Sequence, residues 1–158
     1  EEEASIWFGA VLRGDEPEHV IRVGARTSVQ DNVVLHVSHR GPTLIGADCT
    51  LGHGAVMASC TVGRGALIGM NAVVLQRAII GEGALIAAGA TVPEGAMIPA
   101  NHLAAGVPAR VKKELEGSSA GWVGRSAQHY VELSRQYLGE GVGRTLPPTP
   151  GAEDADGA

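Results

Sequence analysis

The fold is decided by residues 62–98, which read VGRGAL IGMNAV VLQRAI IGEGAL IAAGAT VPEGAM I. A β-branched aliphatic residue recurs at every sixth position: Val62, Ile68, Val74, Ile80, Ile86, Val92 and Ile98. An alanine follows each of them four positions later, up to the end of the repeat: Ala66, Ala72, Ala78, Ala84, Ala90 and Ala96. A helix needs a period of about 3.6 residues, which this pattern lacks. The period of six predicts a solenoid in which each unit supplies a short strand and a turn.

We expect the aliphatic side chains to point into the solenoid and the alanines to fill its corners. The residue after each aliphatic is usually small, as at Gly63, Gly69 and Gly81, which suits a tight corner or a positive φ angle. The composition agrees with a core of small side chains, because only 3% of the residues are aromatic and 23 are glycine.

The same period continues less regularly toward the N-terminus. Leu51 and Met57 keep the six-residue step, but the next step, to Val62, spans five residues. Residues 15–20 and 39–42 interrupt the period and are interpreted as loops. Interruptions of a solenoid tend to lie on one face and often carry function. We therefore expect the functional site at these three places.

The repeat divides the chain into three predicted parts. We expect a β-helix over residues 1–103, a turn and a helix over 104–138, and a flexible tail over 139–158 that is rich in glycine and proline. The helix is predicted from Trp122 to Leu138, packed against the outside of the solenoid. Its apolar face is predicted to contain Val123, Ala127, Tyr130, Val131, Ser134 and Leu138.

Charge and cysteine spacing exclude several classes of protein. The net charge is −5 and no basic stripe is present, which argues against nucleic acid as a partner. No apolar run approaches the length of a membrane span and no signal peptide is visible, so we expect no membrane contact and a cytoplasmic protein. Cys49 and Cys60 lack the spacing of a zinc knuckle or a redox motif, and we expect both to be buried thiols.

Three motifs resemble the γ-class carbonic anhydrase family: SIWFGAVLRGD at residues 5–15, QDNVVLHV at 30–37 and LGHGA at 51–55. The likeness extends over residues 5–138. The repeat alone would not separate this family from the hexapeptide acyltransferases, but these motifs are more specific. The resemblance implies a left-handed parallel β-helix, a homotrimer, and a lyase that hydrates carbon dioxide reversibly to bicarbonate.

The resemblance also implies a metal site. In that family a zinc ion lies between two subunits and is held by three histidines. His36 and His53 match two of these histidines and, by the same matching, come from different chains. The third ligand falls five residues after the second, where this chain has Ala58. Three neutral imidazoles lower the pKa of zinc-bound water to about 7. With two imidazoles, we expect weak or absent zinc binding and weak or lost hydration.

Other matched residues surround the same site. Arg13 and Asp15 resemble the family's ion pair at the trimer interface, and Glu16 falls where some members carry an acidic proton-transfer residue. Gln30 resembles the residue that hydrogen-bonds the metal-bound hydroxide or bicarbonate. Ser28 stands where an asparagine is frequent, which is a second departure from the family pattern.

Two other functions stay open at the level of sequence. A non-catalytic trimeric scaffold, or a small-ligand-binding protein of the same fold, is favoured by Ala58 and Ser28. A hexapeptide acyltransferase typically needs a catalytic histidine on a long protruding loop and a groove for coenzyme A. The loop around His39 is short, so we rank this function last.

Overall fold

The computed structural model describes residues 1–142 as a left-handed parallel β-helix of about five turns, followed by a helix. The strands of the successive turns are β1 (Ser5–Ile6), β2 (Val11–Arg13) and β3 (Ile21–Val23); β4 (Ser28–Val29), β5 (Val34–His36) and β6 (Thr43–Ile45); β7 (Thr50–Leu51), β8 (Val56–Ala58) and β9 (Thr61–Val62); β10 (Leu67–Ile68), β11 (Val73–Val74) and β12 (Ile79–Ile80); β13 (Leu85–Ile86), β14 (Thr91–Val92) and β15 (Met97–Ile98). Strands β16 (His102–Ala105) and β17 (Arg110–Glu114) and helix α1 (Gly117–Glu140) complete the described chain.

Each turn places its three strands in three different sheets. The first sheet contains β1, β4, β7, β10, β13 and β16, with β17 added in antiparallel orientation. The second sheet contains β2, β5, β8, β11 and β14, and the third contains β3, β6, β9, β12 and β15. Equivalent residues of successive turns pair in register, as Leu35, Met57, Val74 and Val92 do in the second sheet. The predicted solenoid is confirmed.

The core contains the side chains that the period of six predicted. Every aliphatic residue of the repeat from Val62 to Ile98 is at most 5% exposed. The alanines from Ala66 to Ala90 are buried as well, and Ala96 packs against the same core. Ile6 and Leu12 are more exposed because β1 and β2 are edge strands of their sheets.

Close stacking of the turns explains the glycines that follow the aliphatic residues. A Cβ atom on Gly81 would lie 2.3 Å from the backbone nitrogen of Ala100 in the next turn, and Gly63 and Gly69 are equally crowded by backbone. Positive φ angles occur two positions after these glycines, for example at Gly83. The predicted positive φ is wrong for these glycines; they are required because the backbone of the next turn approaches them closely.

Helix α1 packs outside the solenoid, as predicted, but it is longer at both ends than the sequence indicated. It begins at Gly117, five residues before the predicted start, and ends at Glu140 with Gly141 in the left-handed conformation. Its buried residues are Val123, Ala127 and Val131, and it packs against the first sheet, where it contacts β1 and β4 and Val123 clusters with Leu67 of β10. Within residues 1–142, the helix lacks the apolar length required to cross a membrane. Most of the predicted flexible tail, residues 143–158, lies outside the described residues.

Candidate functional site

The three predicted interruptions of the repeat lie at one corner of the β-helix. Residues 14–20 connect β2 to β3, residues 37–42 connect β5 to β6, and residues 59–60 connect β8 to β9. All three segments join the second sheet to the third sheet on consecutive turns. Ser59 adopts a positive φ of 47° in the shortened five-residue step, as Arg77 does in a regular six-residue unit. The three interruptions therefore share one corner of the β-helix.

The first group of predicted site residues, the His36 cluster, consists of Arg13, Asp15 and His36. Arg13 and His36 are directly paired in neighbouring strands of the second sheet, and Ala58 is paired with His36 on its other side. The Arg13 Nη1 atom donates a hydrogen bond to Asp15 Oδ2. The other carboxylate oxygen, Asp15 Oδ1, lies 3.5 Å from His36 Nε2. Glu16 follows Asp15 in the same loop.

The second group, the His53 cluster, consists of Gln30, Asp31 and His53. The backbone nitrogen of His53 donates to the Oε1 atom of the buried Gln30 at 3.2 Å. The Nδ1 atom of His53 lies 3.0 Å from Asp31 Oδ2. Metal-ligating histidines commonly donate their second ring nitrogen to a carboxylate, which fixes the ring and leaves the other nitrogen for the ligand. In His53, this arrangement leaves Nε2 available.

Asp31 was not singled out as a site residue from the sequence, although a signal for it exists. Strand pairing relates Ser28 to Thr50 and His36 to Ala58, which is an offset of 22 residues in both cases. The same offset stacks Asp31 on His53, and the nitrogen of the next residue, Gly54, donates to the carbonyl oxygen of Asp31. Counting residues per turn would therefore have identified this pair.

The two clusters lie at opposite ends of the second sheet. His36 pairs with Ala58 at the end of β8, whereas His53 precedes that strand by three residues. His53 lies in the turn at residues 52–55, where the Ala55 nitrogen donates to the carbonyl oxygen of Gly52, and His36 lies at the other end of the paired strand β5. Within residues 1–142, no group of three or more His, Cys, Asp or Glu side chains is arranged to hold a metal ion. Within one chain, His36 and His53 therefore belong to separate clusters at different ends of the paired strands β5 and β8.

The polar residues near Ala58 are engaged elsewhere. Ser59 Oγ accepts a hydrogen bond from the backbone nitrogen of Ser38 at 2.9 Å and lies 2.8 Å from Ser38 Oγ. Cys60 belongs to the core, and burial raises the pKa of its thiol to about 12, so it stays protonated. The Nε2 atom of His39 accepts a hydrogen bond from Arg40 Nε.

The residues of the two clusters do not match the three-imidazole zinc site that the resemblance implies. The methyl side chain of Ala58 has no lone pair with which to bind a metal ion. Catalytic zinc sites use three protein ligands and keep one open position. His36 and His53 supply two imidazoles, so these residues do not fit a three-histidine zinc ion.

Ser28, the second departure from the family pattern, has a structural partner. Its hydroxyl is fully buried and accepts a hydrogen bond from the indole nitrogen of Trp7 at 2.9 Å. The Trp7 ring packs edge-on against Tyr130 and Tyr137 of helix α1. Ser28 therefore belongs to the junction between the first sheet and the helix.

A stripe of valines covers the outer face of the second sheet between the two clusters. Val11, Val34, Val56 and Val73 are paired in consecutive strands. Val11 is 48% exposed and Val56 is 38% exposed. Contiguous exposed apolar surface on a folded domain commonly marks an interaction site.

Comparisons with known proteins agree with this architecture. Residues 59–94 match the family described as bacterial transferase hexapeptide (six repeats). The chain is 47% identical over 136 residues to a carbonic anhydrase of Geobacillus kaustophilus, a match that covers 86% of this chain and 74% of that protein. It is 36% identical to the mitochondrial gamma carbonic anhydrase 2 of Arabidopsis thaliana, over 87% of this chain and 51% of the relative. Among solved structures, a hexapeptide transferase family protein from Anaplasma phagocytophilum has a TM-score of 0.81 at 40% identity, and the match covers 86% of this chain and 79% of that one.

Proposed function

Because the chain belongs to the γ-class carbonic anhydrase family, we propose that it hydrates carbon dioxide reversibly, and slowly, at a site shared between subunits of a homotrimer. The observation that carries the proposal is the pairing of Arg13, His36 and Ala58 across three neighbouring strands. The pairing places Arg13 beside His36 on one side. On the other side, the methyl group of Ala58 occupies the position that the resemblance implies for a third ligand.

The separation of the two clusters supports an assembly of three subunits. A threefold ring would bring the His36 cluster of one subunit to the His53 cluster of the next, and the same contact would repeat until the ring closes. The valine stripe lies between the clusters and would be covered by neighbouring subunits. Burying this apolar surface would stabilise the ring by about 25 cal/mol for each Å² removed from water.

The chain's own residues would bind and orient the small substrate. The Oε1 atom of Gln30 is occupied by the backbone nitrogen of His53, so its amide NH₂ group is left to donate to an oxygen of bicarbonate. The Arg13 guanidinium keeps further N–H donors beyond the one bound to Asp15, and its positive charge would attract the anion. These groups bind bicarbonate whether or not turnover is fast.

The test compares the wild type with Ala58→His. The substitution places an imidazole beside His36, so we expect zinc affinity at least about tenfold higher, because even supporting residues of metal sites change affinity by 10–100-fold. Carbon dioxide hydration should increase as well. Ala100→His adds the same side chain at an exposed corner between the third and first sheets, and it should change neither zinc content nor rate. Metal analysis after dialysis and stopped-flow hydration assays provide the two measurements.

Two results would contradict the proposal. Equal hydration rates in the wild type and Ala58→His would show that position 58 does not limit the rate. Hydration at the uncatalysed rate in both proteins would instead favour the non-catalytic scaffold, which Ala58 and the structural role of Ser28 support. The acyltransferase remains the least favoured alternative, because residues 37–42 form a short loop closed by a bridge between Ser38 and Gly41.

A further inference from the structure

We propose that Asp15 supplies the third protein ligand of the metal site, together with His36 and His53 of the partner subunit. The inference deepens the proposed function and rests on its shared site. Ser59, Cys60 and His39 are engaged elsewhere, whereas the Asp15 carboxylate lies 3.5 Å from the Nε2 atom of His36.

The spacing of the two groups suits a shared metal ion. Asp15 Oδ1 lies 3.5 Å from His36 Nε2, which is longer than the usual hydrogen-bond distance of about 2.7–3.2 Å. Two ligands of one tetrahedral zinc ion, each about 2.0–2.2 Å from it, lie about 3.3–3.5 Å apart. The side chains of Asp15 and His36 are 51% and 25% exposed, so an ion can reach them from solvent.

Arg13 holds the carboxylate in this orientation. It binds Asp15 Oδ2, and this contact turns the other oxygen, Oδ1, toward His36. Arg13 is itself fixed relative to His36 because the two residues are paired in adjacent strands. Ligating carboxylates are commonly hydrogen-bonded in this way through their second oxygen. Arg13 is therefore a positioning residue for Asp15.

The third donor comes from the neighbouring subunit. Asp31 binds the Nδ1 atom of His53, so the Nε2 atom is free to face the adjacent chain in the assembly. Two imidazoles and one carboxylate form a ligand set that zinc enzymes use, with an open fourth position. In this set the Asp15 carboxylate replaces the ligand that a histidine at position 58 would supply.

The decisive experiment measures zinc affinity, by competition with a chromophoric chelator, for Asp15→Asn in two backgrounds. Asparagine keeps the shape and one acceptor for Arg13 but removes the ligating charge. In the wild-type background we expect zinc affinity to fall at least about tenfold, since loss of a supporting residue alone costs 10–100-fold. In the Ala58→His background the same substitution should have no effect, because the new imidazole supplies the third ligand. Glu18→Gln removes an exposed carboxylate from the same loop and should not alter affinity in either background.

Sedimentation equilibrium separates a ligand role from a role in assembly. If Asp15→Asn reduces zinc affinity equally in both backgrounds, or dissociates the trimer in both, Asp15 acts through Arg13 and the inference is overturned. Asp15→His keeps a metal-binding side chain and should retain zinc where Asp15→Asn loses it; loss in both variants also overturns the inference. A wild-type trimer without measurable zinc affinity would also overturn the inference. A wild type that binds zinc but does not hydrate carbon dioxide contradicts only the proposed function.

Discussion

Cys60 lies two residues after Ala58, but its side chain belongs to the interior of the β-helix. It is 2% exposed, and Cys49 is fully buried. Burial raises the pKa of the Cys60 thiol to about 12 and that of Cys49 to about 11. The thiolate is the form of cysteine that binds metals and reacts with alkylating agents. We therefore expect both thiols to stay protonated and unreactive in the folded protein.

We predict that iodoacetamide labels neither cysteine of the folded protein at a pH of about 8.5, which is the pKa of an ordinary thiol. The raised pKa values keep both groups protonated at that pH, and burial excludes the reagent. Mass spectrometry of the intact chain checks the prediction, and the same reaction in denaturant serves as the control. Rapid labelling of Cys60 under native conditions would mean that its sulfur is accessible and able to serve the candidate site.

Ser28 illustrates what the sequence could not predict at the scale of one residue. The motif identified it as a departure from a family pattern, which suggested a change in the pocket. Its hydrogen bond with Trp7 instead connects two turns of the first sheet, and that partner lies 21 residues away. A single sequence contains no signal for such a contact, because the contact depends on side-chain direction at a corner.

The strands of the solenoid could be predicted almost completely from the period of six. The pattern identified which side chains enter the core, since every turn repeats the same environment. It missed the antiparallel pair of β16 and β17, because one hairpin with an exposed outer strand has no such period. It also placed the start of α1 at Trp122, because the first residues of the helix, GSSAG, carry no large apolar side chain.

We predict that Ala84→Leu destabilises the protein by about 1–3 kcal/mol, because a close-packed core must distort to accept the added isobutyl group. Ala84 is fully buried at a corner of the stack. Ala100→Leu makes the same change at an exposed corner and should alter the free energy of unfolding by no more than about 0.5 kcal/mol. Denaturant titration of both variants checks the prediction. An unchanged midpoint for Ala84→Leu would show that the assignment of inward-facing positions is wrong.

At the scale of the whole molecule, the sequence predicted most candidate site residues but not their division into two clusters. Arg13, Asp15 and His36 lie together, whereas Gln30 belongs with His53 and Asp31. Motif order along the chain cannot reveal this division, because it depends on which corner of the triangular coil each residue occupies. The division is the reason for the proposal that the candidate site is shared between two copies of the chain.

We predict that Val56→Glu converts the proposed trimer into monomers. The substitution places a charge in the middle of the valine stripe, where the partner subunits would have to desolvate it. Ile79→Glu makes the same change on the outer face of the third sheet, at a residue that is 44% exposed, and should leave the trimer intact. Sedimentation equilibrium at micromolar protein concentration checks both variants. A monomeric wild type would contradict the assembly itself.

The most direct test of the shared site is complementation between two defective subunits. His36→Ala and His53→Ala should each bind no zinc at the site as homotrimers. In a co-expressed mixture, every trimer that contains both variants has one interface with both histidines, so random mixing should restore about a quarter of the wild-type zinc sites. Zinc titration of the whole purified mixture, homotrimers included, provides the measurement. We predict this partial recovery. A mixture that binds no zinc, or a single variant that binds as much zinc as the wild type, would contradict a site shared between subunits.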